Sequence, residues 1–245
     1  MAVRWMWAFI DTPVGHAETT WEFWRQVARA QLSARRGDHD QFATLLPAKG
    51  DAWLKVQAVD EGGGVHLDLD CDDPAGSAIR AIALGAREIH RFPGDSVVVM
   101  RSPGGFVFCL TTWAFAGHSA RQLRAGEPDL IDQVCLDIPP GLVDREIAFW
   151  AALLDLPYVA SDLPEFGSLQ RPERLPLRLL FQRLAQGEGP VRGHLDLACV
   201  DRAASTRRHL DLGAELVAQH AFWTVLRDPA GATYCLTDRL PSPRG

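Results

Sequence analysis

Val65-His66-Leu67-Asp68-Leu69-Asp70-Cys71 returns 128 positions later as Gly193-His194-Leu195-Asp196-Leu197-Ala198-Cys199. Apolar Val65, Leu67, Leu69 and Cys71 alternate with polar His66, Asp68 and Asp70, the period of a strand with one buried face. Both copies are followed by matching text. Leu84-Gly85-Ala86 corresponds to Leu212-Gly213-Ala214, and Arg101 to Thr111 (Arg-Ser-Pro-Gly-Gly-Phe-Val-Phe-Cys-Leu-Thr) to Arg227 to Thr237 (Arg-Asp-Pro-Ala-Gly-Ala-Thr-Tyr-Cys-Leu-Thr), the displacement now being 126. Upstream, Phe9 to Pro13 and Phe23-Trp24 stand at the same 126 from Cys135 to Pro139 and Phe149-Trp150. The chain is two homologous halves that differ by a two-residue insertion or deletion.

Each half reads in turn as two modules. Val3 to Ile10 is strand-like, and Glu18 to Leu32 spaces Trp21, Trp24, Val27, Ala28 and Gln31 as a helix does. Phe42 to Leu46 and Trp53 to Val59 are short β-type runs before the turn Glu61-Gly62-Gly63-Gly64. The second module takes Val65 to Cys71 as a strand, about Pro74 to Leu84 as a helix, and Ser96 to Met100 and Phe106 to Thr111 as strands. From Leu130 the program repeats. Residues 117–129 mix Gly, Ser, Arg and Glu without periodicity and read as a linker, so domains are expected at 1–116 and 130–245. The loop from Val159 to Pro176 escapes placement by periodicity.

Composition narrows the function. With 245 residues, 47% of them hydrophobic, the chain is long enough for two cores. A formal net charge of -6 without long basic runs excludes the electrostatic footprint of a nucleic-acid or anionic-membrane binder. The opening ten residues are too short an apolar run for a signal peptide, so a cytoplasmic protein is expected, monomeric or homodimeric. Five cysteines without Cys-x-x-Cys spacing read as buried free thiols. Gly62 to Gly64 lacks the Lys-Ser/Thr of a phosphate loop, and Ser102 lies in a turn with no nucleophile-elbow context.

These motifs carry a resemblance. His66 to Asp73 and His194 to Asp201 (His, six residues, Asp), the Leu-Gly-Ala triplets and Asp228-Pro229-Ala230-Gly231 before a last strand resemble the vicinal oxygen chelate superfamily, the group of glyoxalase I, bleomycin-resistance proteins and extradiol dioxygenases. Leu45-Leu46-Pro47, Leu54 to Gln57 and Arg101 to Cys109 further resemble two-domain glyoxalase-like proteins of actinobacteria. The resemblance implies an α+β fold of four βαβββ modules forming two half-open β-barrel bowls. It also implies that four strand positions per bowl point metal ligands inward.

Mapped onto this chain, those positions are Trp7, Gln57, His66 and Cys109 in the first half, and Gln133, Gln182, His194 and Cys235 in the second. All eight are candidate ligand-binding residues. Trp7 cannot ligate a metal, and neither set contains the carboxylate that divalent catalytic sites normally include. Gln133, Gln182, His194 and Cys235 are therefore weak metal candidates, and the expectation is no cofactor, with a divalent metal as the alternative. Cys109 and Cys235 also suit plain apolar packing, and His66 and His194 suit bonding to a backbone carbonyl or to Asp68 and Asp196. Asp70 and Asp137 read as helix-capping residues, in the manner of Asp72 and Asp73 before Pro74. No catalytic base is identified. Trp24 and Trp150 read as core, while Trp5, Trp7, Trp53, Trp113 and Trp223 offer aromatic lining.

The expected function is binding of a small apolar or aromatic molecule in a concave pocket without typical metal catalysis. The alternative is a metal-dependent lyase, isomerase or dioxygenase using the second bowl, and a third reading makes one bowl a structural support.

Overall fold

The structure, a computed structural model, describes residues 3–113 and 127–241, so most of the expected linker lies outside the described residues. The first half runs β1 (Val3–Pro13), α1 (Ala17–Val27), β2 (Ala30–Leu32), β3 (Phe42–Pro47), β4 (Leu54–Val59), β5 (Gly64–Cys71), α2 (Pro74–Ala83), β6 (Arg87–Arg91), β7 (Val97–Arg101) and β8 (Val107–Thr112). The second half repeats the order. It runs β9 (Asp129–Ile138), α3 (Val143–Leu154), β10 (Tyr158–Ala160), β11 (Phe166–Leu169), β12 (Arg178–Arg183), β13 (Arg192–Cys199), α4 (Arg202–Asp211), β14 (Glu215–Gln219), β15 (Trp223–Arg227) and β16 (Thr233–Thr237).

Four βαβββ modules result. They form two open eight-stranded sheets, ordered β2-β3-β4-β1-β5-β8-β7-β6 and β10-β11-β12-β9-β13-β16-β15-β14. The hairpins are antiparallel, whereas β5 pairs with β8 and β13 with β16 in parallel. Sheets that stay open and mixed make bowls and not closed barrels.

The outermost strands are where the structure departs from periodicity. Glu18 to Leu32 is not one helix: α1 stops at Val27, Arg29 adopts φ 49°, and Ala30–Leu32 turns back to pair with β3. An edge strand has one unpaired side and need bury little on either face, so its residues lose the alternation that marks an inner strand. Arg87-Glu88-Ile89-His90-Arg91 in β6 and the exposed Tyr158–Ala160 in β10 show this directly. Helix α2 starts as its sequence dictates, with Asp73 accepting from Gly76 N at 2.9 Å and Pro74 in its first turn.

By packing, the chain forms two compact units, each discontinuous in sequence. One comprises Met1–Ala8, His66–His118 and Val134–Gly193, the other Phe9–Val65, Ser119–Gln133 and His194–Gly245. In the first unit Phe149 and Trp150 of α3 pack on Phe108 of β8, at ring-centroid distances of 5.8 and 5.1 Å. In the second, Phe23 and Trp24 of α1 pack on Tyr234 of β16, at 6.0 and 5.1 Å. Burying each such ring stabilises the fold by about 1.5–3 kcal/mol.

The two indole N–H groups in these cores meet carboxylates from different places. Trp24 Nε1 donates to Asp228 Oδ2 at 3.0 Å, on the turn before β16. Trp150 Nε1 donates to Glu146 Oε1 at 2.8 Å within its own helix, and Gly104 N donates to the other oxygen at 2.7 Å. At the equivalent positions, 126 apart, Thr20 replaces Glu146 and Ser102 replaces Asp228. Burial pushes both carboxyls above the usual carboxylate range, against the hydrogen bonds that favour their charged forms.

Candidate functional site

In the second half the site grows from strand alternation. His194 and Asp196 lie two residues apart on β13 and so share a face, and Cys235 on β16 is the register partner of Asp196. Gln133 of β9 donates through Nε2 to Asp196 Oδ2. The other carboxylate oxygen, Oδ1, is buried and accepts no hydrogen bond, although it stands 3.2 Å from His194 Nε2. Cys235 Sγ lies 3.6 Å from the same nitrogen. His194, Asp196 and Cys235 are 7%, 3% and 7% exposed.

One donor atom from each residue lies within 4.8 Å of the others. Nitrogen, oxygen and sulfur donors of a single tetrahedral ion, at about 2.0–2.3 Å from it, stand roughly 3.3–3.5 Å from one another. The two distances from His194 Nε2, 3.2 and 3.6 Å, match that spacing, and the buried Oδ1 without a hydrogen bond is the oxygen that a cation would satisfy. Gln133 holds the carboxylate from its other side and fixes which oxygen is presented.

The first half builds a looser version. His66 Nε2 is 3.7 Å from Asp68 Oδ1, and Asp68 pairs in register with Cys109, all three residues being buried. Trp7, at the position of Gln133, reaches past Asp68. Its Nε1 donates to Asp70 Oδ2 at 2.9 Å, while Thr111 Oγ1 donates to Oδ1 at 2.5 Å. Asp70 is therefore a hydrogen-bonding partner inside the sheet and not a helix cap; Asp73 alone caps α2. The second half has Ala198 in place of Asp70.

The structure thus brings Gln133, His194 and Cys235 together, and His66 with Cys109. Gln182 lies beside Cys135, whose thiol donates to its Oε1 at 3.9 Å, and Gln57 stands on β4 opposite Phe42. The sequence reading named Asp68 and Asp196 only as bonding partners of the histidines and not as ligands beside them. It sought a carboxylate on the last strands, where Cys109 and Cys235 stand. The period of two, already visible in His-Leu-Asp, puts one on the histidine's own face.

A second buried cluster has a structural character instead. Asp129 accepts from Arg29 at 3.0 Å and from Arg208 at 2.8 and 3.1 Å. Burial alone would raise its carboxyl, but His209 and the two guanidiniums outweigh that and hold it well below the usual range. Burial pushes His209 down, against the pull of Asp129, with Nε2 facing Arg208 at 3.0 Å and Nδ1 facing Tyr234 Oη at 2.9 Å. Both oxygens of Asp129 are occupied, in contrast to Asp196. All five cysteines are buried thiols outside any disulfide, and burial pushes Cys199 up to about 12.

Known structures share this architecture. A Mn(II)-bound glyoxalase from Novosphingobium aromaticivorans aligns with TM-score 0.65 and 16% identity, over 98% of this chain and 84% of that one. A mutant of 4-hydroxymandelate synthase from Streptomyces coelicolor gives 0.62 and 16%, over 98% and 94%. Homoprotocatechuate 2,3-dioxygenase from Brevibacterium fuscum, in complex with 3,4-dihydroxyphenylacetate, gives 0.63 and 13%, over 96% and 80%. At these identities the likeness establishes the fold. No curated protein sequence matches the chain.

The expectation of no cofactor is overturned. The reasoning behind it was that carboxylates were missing from the ligand positions, yet each half places a histidine, an aspartate and a cysteine close enough to share one ion, in a fold that a Mn(II)-bound protein also has. Residues 7–111 and 133–237 each match the family described as glyoxalase-like domain. The chain belongs to that family and carries its domain twice.

Proposed function

We propose that the chain is a metal-dependent protein acting on a small organic molecule, of the lyase, isomerase or dioxygenase type, with its cation held in the second half by His194, Asp196 and Cys235. The observation that carries this reading is Asp196 Oδ1, a buried carboxylate oxygen without a hydrogen bond, beside the nitrogen and sulfur of two further donors. A buried polar atom costs free energy when unsatisfied, and sites that retain one are commonly functional. A bound cation supplies Lewis acidity to an oxygen atom of the ligand. The residues of this chain do the rest: Gln133 orients the carboxylate, and the burial of His194 and Cys235 keeps competing water away from the donors.

The first half serves the same molecule class or supports the second. Its His66, Trp7 and Cys109 are the polar and aromatic contacts of that half for an apolar or aromatic ligand. Cytoplasmic residence is part of the same reading; among the described residues no helix is long and apolar enough to cross a membrane. Elemental analysis of the purified protein tests the proposal. Near-stoichiometric divalent metal, released by His194→Ala in a variant that still melts cooperatively, is the expected result. A protein that takes up no divalent ion after dialysis against each refutes it.

A further inference from the structure

The donor set points to a narrower conclusion, which rests on the reading that the second half holds a cation. We infer that the site formed by His194, Asp196 and Cys235 is a thiolate site built for a borderline-soft ion of the zinc class, and that it discriminates against manganese and magnesium. Three features of the site support this.

The first is donor chemistry. Sulfur ligands suit zinc-class ions, while carboxylate, carbonyl and water ligands suit magnesium and manganese. Cys235 Sγ is 3.6 Å from His194 Nε2, within the span of one coordination sphere, so the sulfur is a member of the set and not a distant neighbour. The second is charge. Binding converts the Cys235 thiol to a metal-bound thiolate and releases its proton to solvent. A divalent ion with one thiolate, one carboxylate and one neutral imidazole then has a net charge of zero, the least costly state for a site whose ligands are 3–7% exposed. The third is rigidity. Asp196 and Cys235 are register partners on adjacent parallel strands, and Gln133 fixes the carboxylate, so the three donors are set by the sheet itself. An ion that demands six oxygen-rich ligands finds three donors of three kinds.

The test uses the full chain, stripped of metal with a chelator under reducing conditions and titrated with Zn(II), Co(II), Mn(II) and Mg(II) by calorimetry. Zn(II) and Co(II) are expected to bind at least about 100-fold more tightly than Mn(II), with about one proton released per Zn(II) when the titration is repeated in buffers of different ionisation enthalpy. The Co(II) form should show an intense near-ultraviolet thiolate-to-cobalt band, measured in a Cys109→Ser background so that the first half cannot supply it. Cys235→Ser should abolish that band, and Cys235→Asp, which restores an oxygen donor, should move the preference toward Mn(II). Melting curves of both variants establish that they fold.

Metal that binds without the thiolate band, a band that survives Cys235→Ser, or equal affinity for Mn(II) and Zn(II) overturns this inference and leaves the proposed function standing. Absence of binding by any of the four ions overturns both.

Discussion

Replacing Asp196 with asparagine should stabilise the metal-free protein and abolish its response to metal. In the wild type, Oδ2 receives the Gln133 amide and Oδ1 receives no hydrogen bond, though it is buried and 3.2 Å from His194 Nε2. A buried acceptor left without a partner costs about 1–3 kcal/mol. Asparagine keeps the shape of the side chain. Its carbonyl oxygen can take the Gln133 bond, and its amide nitrogen can donate to a neutral His194, so the gain is about 1–3 kcal/mol. For a chain of this length that corresponds to a rise in melting temperature of roughly 2–12 °C. If Asp196 instead served to hold a protonated His194 as a buried ion pair, the same substitution would cost about 3–5 kcal/mol. The two accounts differ in sign. Thermal and urea denaturation of chelator-treated wild type and Asp196→Asn at pH 7 measures it, followed by melts with Zn(II) at about 100 times its dissociation constant. There the wild type should gain about 2.7 kcal/mol and the variant nothing. A variant that melts below the metal-free wild type by more than about 1 kcal/mol, or that keeps a metal-induced shift, refutes the reasoning.

Further outcomes follow from the buried polar groups. Asp129→Asn should cost about 3 kcal/mol at pH 7, because Arg29 and Arg208 lose a fully buried carboxylate that accepts from both. Since that carboxyl is held below its ordinary value of about 3.9, its contribution is present above that pH and lost as pH falls through the native value. Urea titrations should therefore show the gap between wild type and variant narrowing below about pH 4. Gly104→Ala should destabilise by about 1–3 kcal/mol, because its new Cβ would stand 2.5 Å from Val191 Cγ2 and 2.7 Å from Glu146 Oε2; a melting temperature unchanged within error would contradict this. Cys199, pushed up to about 12 by burial, should resist iodoacetamide at pH 8 in the folded protein and react after unfolding, as read by peptide mass spectrometry.

The inner strands were legible because one of their two buried faces is apolar and the other polar, which imposes a period of two, as in Val65 to Cys71 and its copy. The edge strands were not. Arg87–Arg91 and Tyr158–Ala160 are held by backbone pairing to β7 and β11, an interaction that leaves no mark on side-chain choice. The helix read through Leu32 failed for a related reason: Ala30 to Leu32 keep helical spacing, but Arg29 reverses the chain. Of the candidate site, the histidines and last-strand cysteines were named by mapping onto this chain the ligand positions that the family resemblance implies. The aspartates entered only as bonding partners of those histidines, because a residue two positions along a strand reads as a ligand only once the geometry shows which face matters. Register across β13 and β16, which joins Asp196 to Cys235, is a contact between residues 39 positions apart and has no local signature.

The unequal way in which the two indoles find their carboxylates bears on how the duplicated halves recognise each other. Each core combines the helix of one half with the turn of the other: α3 carries Glu146 and meets the turn with Ser102, while α1 carries Thr20 and meets the turn with Asp228. A first half mated to a copy of itself would bring Thr20 to Ser102 and offer the indole N–H no carboxylate. A second half mated to itself would bring Glu146 to Asp228 and bury two acids around one indole. Only unlike halves supply one acid per ring, so each half carries the partner group that the other's indole uses. Covalent fusion then guarantees that each half always has the other at hand.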